Sequence, residues 1–204
     1  KGQVHEKSST MLAVLVTDYT DLAPPSSDPT AGGGFVTIVE NAGESKAQGI
    51  ERETTIAITD DFTLRSAIGY LDSEITEVDD GVMGIGKGDS PALTPRWTVM
   101  LAPSYFMDLS NGGTLAINAN YSYRSDMQGQ SVFNQSEHIE SRELVGFNIS
   151  YLNPYGDFEV TLYGENVLNE VYDVGRLQQS GFVGVMRSND RSEFGLKFKK
   201  DFEL

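Results

Sequence analysis

Apolar and polar residues alternate almost without error along "GTLAINANYSYRS" (113–125). Leu115, Ile117, Ala119, Tyr121 and Tyr123 fall on one side, and Thr114, Asn118, Asn120, Ser122 and Arg124 on the other. A side chain on an extended strand repeats its direction every two residues, so this stretch builds a sheet with one greasy and one wet surface. The same alternation, punctuated by turn residues, predicts about eight strands at roughly 9–19, 34–59, 62–76, 95–107, 113–125, 140–152, 157–168 and 192–204. The second is unusually long, and "ENAGES" marks a bulge within it.

The connections sort by length. "TDD", "DLSNGG" and "NPYGD" are tight turns rich in Asn, Asp, Gly and Pro, whereas 20–33, 77–94, 126–139 and 169–191 are long and polar. Short connections at one end and long ones at the other are the habit of an outer-membrane barrel. Aromatic residues follow the same division. With the long loops outside, Tyr70, Trp97, Tyr121, Tyr123 and Phe194 lie toward the outer ends, and Phe62, Tyr105, Tyr151, Phe158 and Phe202 toward the inner ends. Aliphatic residues such as Leu64, Ile68, Val99, Leu101, Val145, Ile149, Val160 and Leu162 fill the band between. The opposite faces carry Glu51, Glu53, Arg65, Asn118, Asn120, Asn148, Glu159, Thr161 and Glu165. A water-soluble core would pay about 1–3 kcal/mol for each such group buried without a partner. The expected fold is therefore all-β: an antiparallel transmembrane β-barrel segment with short periplasmic turns and long extracellular loops, its apolar face on outer-membrane lipid. The closing strand, "SEFGLKFKKDFEL", keeps the alternation except at Lys200, which either snorkels to the interface or marks a slip.

Composition removes several alternatives. No apolar run approaches the ~18 residues of a membrane helix, the longest being "MLAVLV". A formal charge of −15 without a basic cluster opposes nucleic-acid binding. The absence of cysteine excludes disulfides, thiolate metal sites and cysteine nucleophiles.

Three stretches together resemble a known family. "MLAVLVTDYTDLA" (11–23), "ENAGESKAQGIERE" (40–53) and "LYGENVLNEVYD" (162–173), followed by a long loop, an Arg and a terminal aromatic strand, are similar to the C-terminal part of the barrel of TonB-dependent outer-membrane receptors. The third stretch matches a "G-x-N-x-x-(D/N)-x-x-Y" signature through Gly164, Asn166, Asn169 and Tyr172. The resemblance implies a plugged barrel of about 22 strands. Such a receptor imports a scarce small-molecule nutrient, an iron–siderophore first and otherwise cobalamin or an oligosaccharide, with energy passed through TonB. This chain would supply the last part of the barrel, without the plug domain or the TonB box, so that TonB would be met through an N-terminal region. Leu204 stands where the family usually has a terminal aromatic, with Phe202 two residues earlier. A complete eight-stranded barrel with a structural or adhesive role is the alternative.

Tempting chemistry is scarce. "GVMGIGKG" (81–88) approaches a phosphate loop, but Gly88 replaces the magnesium-binding hydroxyl and "DSPALTP" cannot start the required helix. His5 and His138 are far apart in sequence, and no Ser/His/Asp arrangement accompanies them, so neither an enzyme nor a cofactor site is expected. "DSEITEVDD" (72–80) lacks the spacing of a calcium loop. Strand parity instead gathers Arg96, Arg124 and Arg142 on the inward face at the outer rim, with Glu165 and Glu193 nearby. Two roles are open. The arginines form a funnel for an anionic ligand, or they pair across strands with those glutamates. Tyr19 and Trp97 read as interface anchors rather than ligand stackers.

Overall fold

In the computed structural model the described residues are 8–21, 25–29, 35–39, 43–80, 86–129, 137–179, 182–188 and 190–202. His5, Gly81 and Leu204 lie outside them. Eight strands form one antiparallel sheet: β1 (Ser8–Tyr19), β4 (Gly43–Ala57), β5 (Phe62–Val78), β6 (Trp97–Asp108), β7 (Thr114–Arg124), β10 (Arg142–Leu152), β11 (Phe158–Glu165) and β14 (Glu193–Lys200). They lie in that order across the sheet, each beside its predecessor. The sheet is open, since β1 and β14 stand at its two ends and do not pair.

Three connections carry small hairpins of their own, β2 (Pro25–Pro29) with β3 (Phe35–Val39), β8 (Met127–Gln128) with β9 (His138–Ile139), and β12 (Asp173–Gln179) with β13 (Phe182–Arg187). All three stand at the same end as the β5–β6 connection. At the other end are the tight turns. Asn153 closes one of them: its side-chain oxygen accepts from the Asp157 and Phe158 amides at 3.1 Å each, and Gly156 takes a φ of +74°. Thr59 and Asn111 act similarly in the other two.

One expectation changes in detail. The long second strand is two elements, β3 and β4, because β3 leaves the main sheet to pair with β2. The bulge near "ENAGES" is present as a register shift at Glu44/Ser45 against β5. At Lys200 there is no slip, for it pairs in register with Phe158 and its ammonium contacts the Asp157 carboxylate in the neighbouring turn. Beside that ammonium, and accepting also from Asn153, the Asp157 carboxyl is held below the usual carboxylate range.

The register sorts every side chain to a face. Ile68 opposes Val99, Leu101 opposes Tyr121, Ile149 opposes both Ile117 and Leu162, and Leu162 opposes Leu196. These apolar residues are open to their surroundings: Val14 is 73% exposed and Phe198 68%. Among the described residues the only buried hydrophobic side chains are Ile75 and Ile139. A single sheet with so little core must have its greasy face covered, and lipid covers it in a barrel. The two aromatic levels are in place, with Tyr70 against Trp97 at 4.8 Å between ring centres and Phe62 against Tyr105 at 6.5 Å.

Candidate functional site

The other face is polar. Glu51 opposes Gly69, Asn118 opposes both Ser104 and Asn148, Ser150 opposes Thr161, and Arg124 opposes both Thr98 and Arg142. Partners lie within this surface: the Asn118 amide donates to Asn148 Oδ1 at 2.9 Å, and the Ser150 and Thr161 hydroxyls are 2.7 Å apart. The wall is thus hydrogen-bonded along its rows rather than left to water alone.

Arg124 and Arg142 end their strands side by side at the long-loop end. Two like charges opposite each other on a ladder repel unless something else holds them. Arg124 donates from Nη2 to the Glu140 carbonyl at 2.9 Å. The guanidinium carbon of Arg142 sits 4.9 Å from the centre of the Tyr172 ring, a cation–π geometry. Both Nε atoms are buried without a hydrogen-bond partner. With Glu51, Glu53, Thr98 and Ser122 these two arginines line a hollow of about 390 Å³.

The other three residues singled out from sequence are placed differently. Arg96 turns away from this hollow and pairs with Asp72 at 3.2 Å. Its deviation has a local cause: β6 begins only at Trp97, after Pro95, so alternation does not govern position 96. Glu165 and Glu193 oppose each other on β11 and β14 and line a second hollow of about 620 Å³ with Asn120, Tyr172, Asp190 and Arg191. The hydroxyl of Tyr163 donates to Glu193 at 2.8 Å. None of Arg96, Arg124 and Arg142 pairs with Glu165 or Glu193, so the expected cross-strand ion pairs are not formed. Tyr172 lines the second hollow while its ring stacks on Arg142 of the first, and its hydroxyl donates to Asp190 at 3.4 Å. Tyr19 also requires correction. Val14 pairs with the lipid-side Ile50, which leaves Tyr19 on the inward face, where it lines an apolar hollow of about 510 Å³ with Leu15, Leu71, Pro91 and Pro95.

The "G-x-N-x-x-N-x-x-Y" stretch turns out to root the last long loop. Asn166 and Asn169 adopt φ of +44° and +53°, a conformation that Asn tolerates better than most residues. Asn166 accepts from the Glu170 amide at 2.9 Å and donates to the Glu170 and Asp190 carbonyls at 2.9 and 2.6 Å. Asn169 accepts from the Ser192 amide at 3.3 Å. Both ends of the loop are tied together in this way.

Higher in the same loop is a cluster that strand alternation did not reveal. Asp173, 7% exposed, accepts from Arg176 Nε and from Arg187 Nε, each at 2.8 Å. Burial works against its ionisation, but the two guanidinium groups overcome that and keep its carboxyl below the ordinary range. The hairpin they brace lies against β9. Gly129 comes so near the Arg176 carbonyl that a Cβ there would sit 2.7 Å from it. His138 lies 3.7 Å from Asp126 and 3.8 Å from Glu140. Among the described residues no group of three or more His, Cys, Asp or Glu is arranged to hold a metal.

Comparison with known proteins agrees with this architecture. The family described as TonB dependent receptor-like, beta-barrel, matches residues 5–167. The fold is similar to that of the ferric yersiniabactin uptake receptor FyuA from Yersinia pestis, at 14% identity and a TM-score of 0.77, covering 98% of this chain and 28% of that one. It is similar too to the siderophore receptor PiuA from Acinetobacter baumannii (18% identity, TM-score 0.69, 96% of this chain and 26% of that one). The ferric-catecholate import receptor Fiu from K12 E. coli gives 15% identity and a TM-score of 0.68, over 98% of this chain and 26% of that one. The chain thus spans about a quarter of the length of these structures. No curated protein sequence matches it significantly. With its register, its lipid-side and lumen-side faces and the matched barrel region in agreement, the chain belongs to the TonB-dependent receptor family, as part of the β-barrel.

Proposed function

We propose that this chain forms part of the barrel wall and outer loops of a bacterial outer-membrane receptor that imports a scarce anionic nutrient, an iron–siderophore first, with energy supplied through TonB. The contact with TonB would be made by a part of the receptor other than this wall. Arg124 and Arg142 carry the reading: two guanidinium groups share one row at the loop end of the lumen face, and among the described residues neither forms an ion pair, Glu51 and Glu53 lining the same hollow without contacting them. Guanidinium groups bind carboxylate and catecholate oxygens through paired N–H donors, and a site with two of them favours a chelate carrying net negative charge. Glu165 and Glu193, across Tyr172, would set the far boundary of that preference by repelling anions from the second hollow. Arg96, paired with Asp72, takes no part.

The test uses the full-length receptor that contains this chain. Arg124→Gln with Arg142→Gln is expected to weaken binding of an anionic ferric chelate by about tenfold or more, on the scale of lost charge-assisted hydrogen bonds. Uptake is expected to need TonB. Unchanged affinity in the double variant would remove the arginine pair from the site, and uptake in cells lacking TonB would remove the transport reading.

A further inference from the structure

Register places a cation among apolar residues of the lipid-side face. Arg52 of β4 lies opposite Leu12 of β1 and Ile68 of β5, and its same-side neighbours along β4 are Ile50 and Thr54. Leu12, Ile50, Arg52 and Ile68, with the ring pair Tyr70 and Trp97, line an outward groove of about 480 Å³. Among the described residues no carboxylate pairs with Arg52. Asp72, on the same side two rows nearer the loops, is held by Arg96 at 3.2 Å.

A guanidinium stays charged throughout the physiological range, so on a lipid-side wall it needs an anion or the polar boundary of the bilayer. Arg52 stands two residues below the Tyr70–Trp97 row, about 7 Å along the strand at the usual rise. At that depth its long side chain reaches the headgroup level, where the aromatic pair sits. The groove therefore combines an apolar floor for an acyl chain with a forked donor at the height of lipid phosphates, on the side of the membrane where the long loops emerge.

We propose that Arg52, with Leu12, Ile50, Ile68, Tyr70 and Trp97, forms a site for a phosphate-bearing acyl lipid of the outer leaflet. The phosphate engages the guanidinium, and an acyl chain lies over Leu12, Ile50 and Ile68. Charge complementarity selects this occupant: the groove offers an unneutralised cation, while the chain as a whole carries −15 and disfavours a second acidic copy of itself. The proposal rests on the membrane-spanning reading of the sheet and is independent of which cargo is carried.

The test is native mass spectrometry of the detergent-solubilised full-length receptor with three probes: diphosphoryl lipid A, its dephosphorylated counterpart and inorganic phosphate. Diphosphoryl lipid A is expected to remain bound to the wild type, and its occupancy to fall about tenfold in Arg52→Gln. Arg52→Lys, which keeps the charge without the fork, should recover part of the loss. The dephosphorylated lipid is expected to bind both proteins weakly and alike, and millimolar inorganic phosphate to leave the lipid in place. Equal retention of the two lipids by the wild type would overturn the proposal without recourse to any variant. So would equal retention of diphosphoryl lipid A by wild type and by Arg52→Gln, with barrel assembly confirmed by heat-modifiable gel migration, or displacement of the lipid by inorganic phosphate. Cargo uptake is not a readout here, so failure of this site leaves the transport reading to its own test.

Discussion

Asp173 shows how much one side chain can hold in a loop that reads as plain polar sequence. Its carboxylate ties Arg176, three residues on in the same strand, to Arg187, its register partner across the hairpin. The folded carboxyl lies below its ordinary range, so its contribution to loop stability is present above the unfolded pKa and lost as pH falls through the folded one. Limited proteolysis of the β12–β13 hairpin is thus expected to be slow at neutral pH and to accelerate only in strong acid. Asp173→Asn should accelerate it already at neutrality and flatten the acid dependence. At Arg142, Tyr172→Phe should be mild for ligand binding because the ring face persists, whereas Tyr172→Leu should resemble loss of the stack, about 0.5–2 kcal/mol in a binding titration. Parity alone put Arg124 and Arg142 on the inward face at the outer ends of their strands, and the register adds that they share one row. Parity could not identify the direction of Arg96, which stands just before the first residue of β6, or of Tyr19, whose aromatic character suggested a membrane anchor although its register with β4 faces it inward.

Among the elements, the eight long strands are legible because each has lipid on one side and a wet lumen on the other, so both faces write their chemistry into the alternation. The three outer hairpins lack that signature. β2 is "PSSDP", two prolines around polar residues, and it becomes a strand only through pairing with β3. The contrast between faces makes a direct prediction. Ile149→Lys, on the lipid side of β10 and opposite Ile117 and Leu162, should cost about 2–4 kcal/mol in a bilayer folding titration. Asn148→Lys, one residue away on the lumen side, should cost far less, chiefly the hydrogen bond from Asn118. The root of the last loop belongs to this scale as well. Asn166→Ala removes three hydrogen bonds and leaves a residue less tolerant of φ +44°, and the expected loss is about 1–3 kcal/mol, read as faster cleavage between β11 and β14 with the strands themselves intact.

For the whole molecule, the sheet order, the single polar face and the scarcity of buried apolar side chains among the described residues all describe a wall rather than a globule. Its stability is borrowed from the bilayer on one side and from polar rows on the other. The cargo is not legible at this scale, because the loop residues that would grip it are ordered by one another and not by the strand period. The Asn166–Asn169 root gives that separation a further meaning. The wall below it and the hairpin above it are joined through a few backbone-directed amide contacts that ask nothing of the intervening residues. The hairpin can be lengthened, shortened or rewritten while its two feet stay fixed on β11 and β14. The outer surface can then vary without the wall relearning how to be a barrel.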